Sequence, residues 1–152
     1  MSSITFEESK WIKASPEAIY QLLADYENGH PQILPKPYFT DLRVIKGGVG
    51  AGTEIEVDMT VMGVKRTMYM EVTEPQKGYI LAETDYNNGI ATSFIFDAVD
   101  GGCQLTIRTT MQFNDGVMGF IEKLTTPAIT RNIYRKELQL IAERVETTPI
   151  AI

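Results

Sequence analysis

The spacing of apolar residues changes several times along the chain. Residues 4–12 alternate as a strand does, residues 15–25 have apolar positions at helical spacing, and residues 29–35 have room for one further helical turn. Alternation returns at residue 38 and continues through six strands separated by glycine-rich turns, and helical spacing closes the chain over residues 117–145. This order predicts one curved antiparallel sheet packed against a single long helix.

Capping residues and prolines set the limits of the predicted helices. Ser15 can cap the first helix, with Pro16 at its first helical position. Pro35 ends the short turn, because proline removes a backbone donor. Pro127 leaves two alternatives for the last helix, which either kinks there or restarts with Thr126 as its cap. A continuous helix would be about 43 Å long at 1.5 Å per residue.

Two strands show the clearest alternation and define the first hairpin. Within residues 53–61 and 64–73 the apolar side chains share one face, and Arg66 falls in the same phase. A two-residue loop at residues 62–63 then places Met59 opposite Arg66 on the inner face. An arginine on this face needs a partner, because burying an unpaired charge is costly.

The next loop extends this register to a third strand. A five-residue loop at residues 74–78 pairs Val72 with Ile80 and Arg66 with Tyr86. The sequence therefore predicts Arg66 and Tyr86 as neighbours on the inner face.

The following loop leaves two registers open. A three-residue loop at residues 87–89 keeps Thr84 facing inward, whereas a two-residue loop would place Glu83 opposite Phe94. We prefer the three-residue loop because it buries no carboxylate. Only the shorter loop would make Glu83 and Asp85 candidates for a catalytic carboxylate.

A turn at residues 101–102 completes the register and pairs Phe96 with Ile107. The predicted fold class is α+β, with a seven-stranded curved antiparallel sheet, two short helices after the first strand and a long C-terminal helix. We expect a single domain over residues 1–152 with a cavity between the sheet and that helix.

Composition narrows the class of protein. Apolar residues make up 43% and charged residues 22%, which is ordinary for a globular protein, and the net charge of −6 argues against nucleic acid as a partner. No stretch has the roughly 18 apolar residues of a membrane helix, and the N-terminus has no signal-peptide pattern. The oligomeric state stays open.

Histidine and cysteine are too few for most metal sites. The sequence has one of each, so a zinc site is improbable and we expect no metal and no tightly held cofactor. The lone Cys103 excludes an internal disulfide and fits a reducing cytosol, so we expect a cytoplasmic location. The glycine-rich segment 47–52 leads into a strand, which favours a hairpin connection over a phosphate-binding loop.

Three segments carry a family resemblance: residues 14–26, residues 33–35 and residues 48–53. With the element order, they resemble the helix-grip proteins of the START-like superfamily, which includes the birch-pollen allergens and the polyketide cyclase/dehydrase-like branch. The resemblance covers essentially the whole chain. It implies a cavity that accepts lipids, sterols, polyketides or other apolar ligands, and it offers no catalytic motif that transfers residue by residue.

Polar residues on the predicted inner face form the first candidate site. They are Arg66, Thr84, Tyr86, Thr92 and Thr109. The guanidinium of Arg66 could bind a ligand carboxylate, enolate or phenolate, since its fork suits planar anions. The alternatives are that Arg66 reaches the rim of the cavity or pairs with a buried carboxylate.

Apolar residues on the same face form the second candidate group. Its members are Met59, Met68, Met70, Met111, Phe94 and Phe96. Methionine adapts to irregular shapes, so these residues either line a pocket or fill an ordinary core. His30, the one histidine, is either a general acid or base at the cavity mouth or an exposed turn residue.

Three functions fit these patterns. The first is binding or carriage of an apolar or amphipathic small molecule. The second is a cyclase or dehydratase, in which Arg66 would stabilise an enolate and Tyr86 would transfer a proton. The third is a protein-interaction module with a vestigial cavity.

Overall fold

A computed structural model of the protein describes residues 2–113 and 117–146, and the side chains of residues 3–112 and 126–146. The strands are β1 (Ser2–Ile12), β2 (Phe39–Lys46), β3 (Glu54–Val61), β4 (Val64–Gln76), β5 (Ile80–Asp85), β6 (Ile90–Val99) and β7 (Gly102–Phe113). The helices are α1 (Pro16–Ala24), a 3-10 helix (His30–Ile33) and α2 (Val117–Glu146). The strands form one curved antiparallel sheet in the order β1-β7-β6-β5-β4-β3-β2. The predicted α+β fold is confirmed.

The predicted helix boundaries hold closely. The hydroxyl of Ser15 accepts a hydrogen bond from the backbone N–H of Ala18 at 3.1 Å, as an N-cap does, and α1 ends at Ala24 with Asp25 as its C-cap. The α2 helix is continuous and contains Pro127 in its interior, so it does not restart at Thr126.

The β3–β4 hairpin has the predicted register. Val61 lies opposite Val64, and Met59 lies opposite Arg66. The two loop residues, Met62 and Gly63, both have positive φ, at 52° and 78°. This is the conformation of the two-residue turns that match the twist of a hairpin.

The β4–β5 register differs from the prediction. Val72 lies opposite Glu83 instead of Ile80, and a register shift separates Thr73 from Gln76. The irregular segment contains Pro75, which has no N–H to give to a ladder. One extra residue in β4 turns over every side chain of β5, and Arg66 and Tyr86 are therefore not cross-strand neighbours.

The β5–β6 connection is longer than either predicted loop. Asp85 pairs with Ile90 and Glu83 with Thr92, which leaves residues 86–89 as the loop. The preferred three-residue loop is wrong, and the inner face of β5 carries Glu83 and Asp85 instead of Thr84 and Tyr86. The carboxylate of Asp85 is satisfied locally, since it accepts hydrogen bonds from the backbone N–H groups of residues 87 and 88 at 3.0 Å each.

The β6–β7 hairpin keeps the predicted faces with a different pairing. Phe96 lies opposite Leu105 instead of Ile107, because the turn falls at residues 100–101. A shift by two residues leaves every side chain on the same face.

The α2 helix supplies the other wall of the core. Ile133, Leu138 and Ile141 are buried against the sheet. The helix packs chiefly against β1, and it also touches β7, α1 and the 3-10 helix. An ion pair of 2.9 Å between Arg135 and Glu8 of β1 lies beside this contact.

The glycine-rich segment 47–52 is tied to its neighbours. The N–H of Tyr26 donates to the carbonyl of Gly48, and the N–H of Gly50 donates to the carbonyl of Ala24. Glu74 accepts a hydrogen bond of 2.7 Å from the N–H of Ala51 and one of 2.5 Å from the hydroxyl of Tyr20. These bonds fix the connection between β2 and β3 against α1 and β4, as expected for a hairpin loop.

Candidate functional site

A cavity of about 90 Å³ lies between the inner face of the sheet, α2 and the 3-10 helix. Side chains from β2, β3, β4, β6 and β7 form the apolar walls, and β5 contributes Glu83. The polar lining residues are His30, Glu83, Thr92, Thr130, Tyr134 and Glu137. The cavity therefore combines an apolar body with a small group of titratable side chains.

His30 is held rigidly at this polar end. It is buried, its ring stacks on Tyr26 with centroids 4.5 Å apart, and its edge faces Phe94. Its Nδ1 donates to the backbone carbonyl of Leu23 at 2.8 Å, because a carbonyl oxygen can only accept. The other ring nitrogen, Nε2, is therefore the one that faces Glu83. His30 is not the exposed turn residue that one of the sequence alternatives described.

Glu83 is buried among partners from distant parts of the chain. The hydroxyl of Tyr26 donates to its Oε2 at 2.6 Å, and Nε2 of His30 lies 3.5 Å from the same oxygen. Burial, together with the charge of Glu83 and its hydrogen bond, raises the pKa of Tyr26 well above its usual value.

Glu137 points into the cavity from α2 and, unlike Glu83, has no side-chain partner among the described residues. It is 3% exposed, and no described side chain forms a hydrogen bond with it. Burial and, second, the charge of Glu83 raise the pKa of Glu137 well above its usual value. Burial therefore favours the protonated, neutral form of Glu137 in the empty cavity.

A hydroxyl cluster lies next to these carboxyl groups. The hydroxyl of Tyr134 is 2.5 Å from that of Thr109, and the hydroxyls of Thr109 and Thr92 are 2.8 Å apart. Burial raises the pKa of Tyr134 to about 12, so this phenol stays protonated. The cluster fixes the wall of the cavity beside Glu137.

The structure divides the predicted polar group. Thr92 lines the cavity and Thr109 stands behind it, bonded to Tyr134 instead of Arg66. Arg66 and Tyr86 are exposed, and Thr84 faces the outer side between Glu71 and Ala91. The physical reason is the shifted phase of β5 for Thr84 and Tyr86, whereas Arg66 lies near the projecting tip of its hairpin.

Most of the predicted apolar group lies where the pattern placed it. Met59, Met68, Met70, Met111 and Phe94 line the cavity. Phe96 is buried elsewhere and packs against Tyr20 of α1, with ring centroids 4.9 Å apart.

The hydrophobic pattern did not indicate Tyr26, Glu137 or Tyr134 as site residues, and it left His30 and Glu83 only as alternatives. One signal for Glu137 was present in the sequence. Glu137 lies beside Leu138 at the edge of the apolar stripe of α2, which places its carboxyl group near the core. The partners of Glu83 could not be found in this way, because Tyr26 is 57 residues away in sequence.

Two classes of feature are missing from the part of the chain that the structure describes. No group of three or more His, Cys, Asp or Glu side chains is arranged to hold a metal ion there. None of the helices described is long and apolar enough to cross a membrane.

Solved structures share this fold over nearly the whole chain. KanY protein (ms6282) is 25% identical, with a TM-score of 0.84 over 96% of this chain and 99% of that one. The Zhui aromatase/cyclase from Streptomyces sp. R1128 is 16% identical, with a TM-score of 0.76 over 95% and 94% of the two chains. A START superfamily protein from Mycobacterium smegmatis is 14% identical, with a TM-score of 0.72 over 93% and 97%.

Sequence comparison gives the family directly. No curated protein matches the chain. Residues 3–146 match the sequence profile described as polyketide cyclase/dehydrase and lipid transport. This match over nearly the whole chain shows that the chain belongs to the polyketide cyclase/dehydrase and lipid transport family.

Proposed function

We propose that the protein binds and carries a small, mainly apolar molecule in the cavity between the sheet and α2. The observation that carries this proposal is an internal space with apolar walls and a few convergent polar groups, which is the usual form of a small-molecule site. The family supports it, since its description includes lipid transport. The buried, free Cys103 fits a carrier that works in the cytoplasm.

The size of the cavity limits the ligand. Its volume of about 90 Å³ is well below the roughly 300–1,000 Å³ of pockets for drug-sized molecules. Four of its lining residues are methionines, Met59, Met68, Met70 and Met111. Their flexible side chains can change rotamer, so a ligand larger than a few carbon atoms has to displace them.

Native mass spectrometry of protein purified from its host tests carriage. We expect a small molecule that is bound under native conditions and released on denaturation. Val57→Phe, which fills the cavity from β3, should lower its occupancy, whereas Ile45→Phe at an exposed site of β2 should not. Full occupancy in Val57→Phe would place the ligand elsewhere and contradict the proposal.

A second candidate function, acid–base catalysis, is favoured by the groups around Glu137. Glu137, whose pKa is raised by burial, lines the same cavity as the Glu83–His30 pair. In a dehydration, the pair would take a proton from carbon while Glu137 gives its proton to the leaving hydroxyl, which departs as water. This mechanism uses neither Arg66 nor Tyr86, because both are exposed.

Turnover of a small β-hydroxy ketone distinguishes the enzyme from the carrier. With 4-hydroxybutan-2-one, an enzyme of this kind forms the enone, which absorbs in the ultraviolet. Glu137→Gln should then lower kcat by about 100-fold or more, the usual range for general acid catalysis. A wild-type rate no higher than that of Glu137→Gln would exclude Glu137 as the acid.

A further inference from the structure

The polar end of the cavity carries acidic groups and very little that can balance them. Of the lining side chains that the structure describes, none is lysine or arginine, and only His30 can carry a positive charge. Two carboxyl groups, on Glu83 of β5 and Glu137 of α2, face the same space. The carboxyl groups of Glu83 and Glu137 therefore determine which ligand charge this end of the cavity accepts.

Glu83 and Glu137 are not equivalent toward a ligand. Glu83 already accepts a hydrogen bond from Tyr26 and lies beside His30. Glu137 has no hydrogen-bond partner among the described side chains, although it is 3% exposed and lines the cavity. A buried polar group without a partner destabilises the protein, because its lost hydrogen bonds to water are not replaced. A bound molecule that forms such a hydrogen bond removes this cost.

Resting on the proposed function, we infer that the cavity selects a small apolar molecule that carries an ammonium group, and that this group pairs with Glu137. A charge-assisted hydrogen bond is stronger than a neutral one, and the cation offsets the repulsion from Glu83 that arises once Glu137 is ionised. An alcohol can form a hydrogen bond with the protonated carboxyl group, but that bond is not charge-assisted. A carboxylate adds a third acid to the same desolvated space.

Proton release is the signature of this pairing. An alkyl amine resembles the lysine side chain, with a pKa of about 10.4, and enters as ammonium. Burial favours the protonated form of Glu137 in the empty cavity, so pairing with the ammonium group makes Glu137 give its proton to solvent and become the carboxylate partner. Binding therefore releases up to one proton, and affinity rises by at most about tenfold per pH unit below the pKa of Glu137 in the empty protein.

Other titratable groups face Glu137 and contribute to that pH dependence. They are Glu83 from β5, His30 from the 3-10 helix, Tyr134 from α2 and Tyr26 beyond α1. Only the part of the dependence that Glu137→Gln removes belongs to Glu137. The glutamine is an isostere of the protonated acid, so this variant should keep the fold of the empty protein.

The experiment compares three probes of similar size: isobutylamine, isobutanol and isobutyrate. Binding is followed by nuclear magnetic resonance of methionine methyl groups, with Met59, Met68, Met70 and Met111 as cavity reporters. Met62, which is 83% exposed at a hairpin tip, reports non-specific effects. Calorimetry in two buffers of different ionisation enthalpy measures the protons released by the wild-type protein.

We expect isobutylamine to bind at least tenfold more tightly than isobutanol, and isobutyrate to bind most weakly. Glu137→Gln should abolish both the amine preference and the proton release while isobutanol still binds. The control Glu143→Gln changes an exposed carboxylate on the same helix and should behave as wild type.

Two kinds of outcome separate the failure of this inference from the failure of the proposed function. Equal affinity for amine and alcohol, amine binding without proton release, or an amine preference that survives in Glu137→Gln overturns the inference and leaves the carrier intact. If none of the three probes shifts the cavity methionines, the cavity binds no small molecule and both proposals fall.

Discussion

At the scale of single residues, two glutamates with the same chemistry are held in opposite ways. Glu83 is buried with a phenol and an imidazole beside it, both supplied by the segment that follows α1. Glu137 is buried without such help, and burial raises its pKa well above the usual value. The two side chains therefore differ in their hydrogen-bond partners, although both are buried and line the same cavity.

Glu137 should make the protein less stable as pH rises. Its pKa in the folded protein is raised above the unfolded value of about 4.3, so the folded state holds the extra proton between those two values. Its stabilising effect is complete below the unfolded pKa and is lost as pH rises through the folded pKa. Urea unfolding at several pH values should show this decline in wild type, and Glu137→Gln should remove that component.

Glu143→Gln serves again as the control for this measurement and should keep the wild-type slope. An identical decline in Glu137→Gln would assign the effect to other groups, such as His30 with Glu83.

Arg66 should be unimportant for binding inside the cavity. The sequence pattern suggested that it holds an anionic ligand, but its side chain is exposed beside the tip of the β3–β4 hairpin. We expect Arg66→Ala to change the affinity for isobutylamine or isobutyrate by less than about twofold, measured by the same methionine shifts. A loss of tenfold or more would return Arg66 to the site.

At the scale of elements, the β5–β6 hairpin depends on one buried acid at the end of a strand. Asp85 is fully buried, and it accepts hydrogen bonds from two backbone N–H groups of the loop and, at 2.7 Å, from the side chain of Asn88. Side chains of this type organise turns through such local bonds. This hairpin sets the phase that brings Glu83 inward.

Asp85→Ala should destabilise the protein by about 1–3 kcal/mol, since it leaves buried donors of the loop without their acceptor. The free energy of unfolding in urea measures this effect. Asp100→Asn, at an exposed loop position of the next hairpin, is the control and should change stability by less than about 0.5 kcal/mol. A similarly small effect for Asp85→Ala would show that another feature fixes the register.

The sequence pattern predicted the strands and helices, but it did not predict which side chains of β5 face inward. Hydrophobic period, the Ser15 cap and the prolines gave the seven strands and the helices, because these signals are local. The irregularity before Gln76 and the loop at residues 86–89 shifted β5, and both depend on partners distant in sequence. The rule that no carboxylate should be buried failed because Tyr26 and His30 satisfy Glu83.

At the scale of the whole molecule, a cavity makes stability depend on its ligand. A molecule that binds only the folded state at 100 times its Kd adds about 2.7 kcal/mol to the free energy of unfolding. For a chain of this length, each kcal/mol raises Tm by about 2–4 °C, so saturating isobutylamine should raise it by about 5–11 °C. Scanning calorimetry measures the shift, and an equal shift in Val57→Phe would show binding outside the cavity.

The order of the strands also affects how the chain is made. β1 pairs along its length with β7, from Ser2 opposite Phe113 to Ile12 opposite Cys103. A ribosome adding about 5–20 residues per second releases β1 roughly 5–20 s before its partner exists. During that interval the first strand has no neighbour in the sheet. Contacts so distant in sequence slow folding, and the pairing of β1 cannot form until β7 has been synthesised.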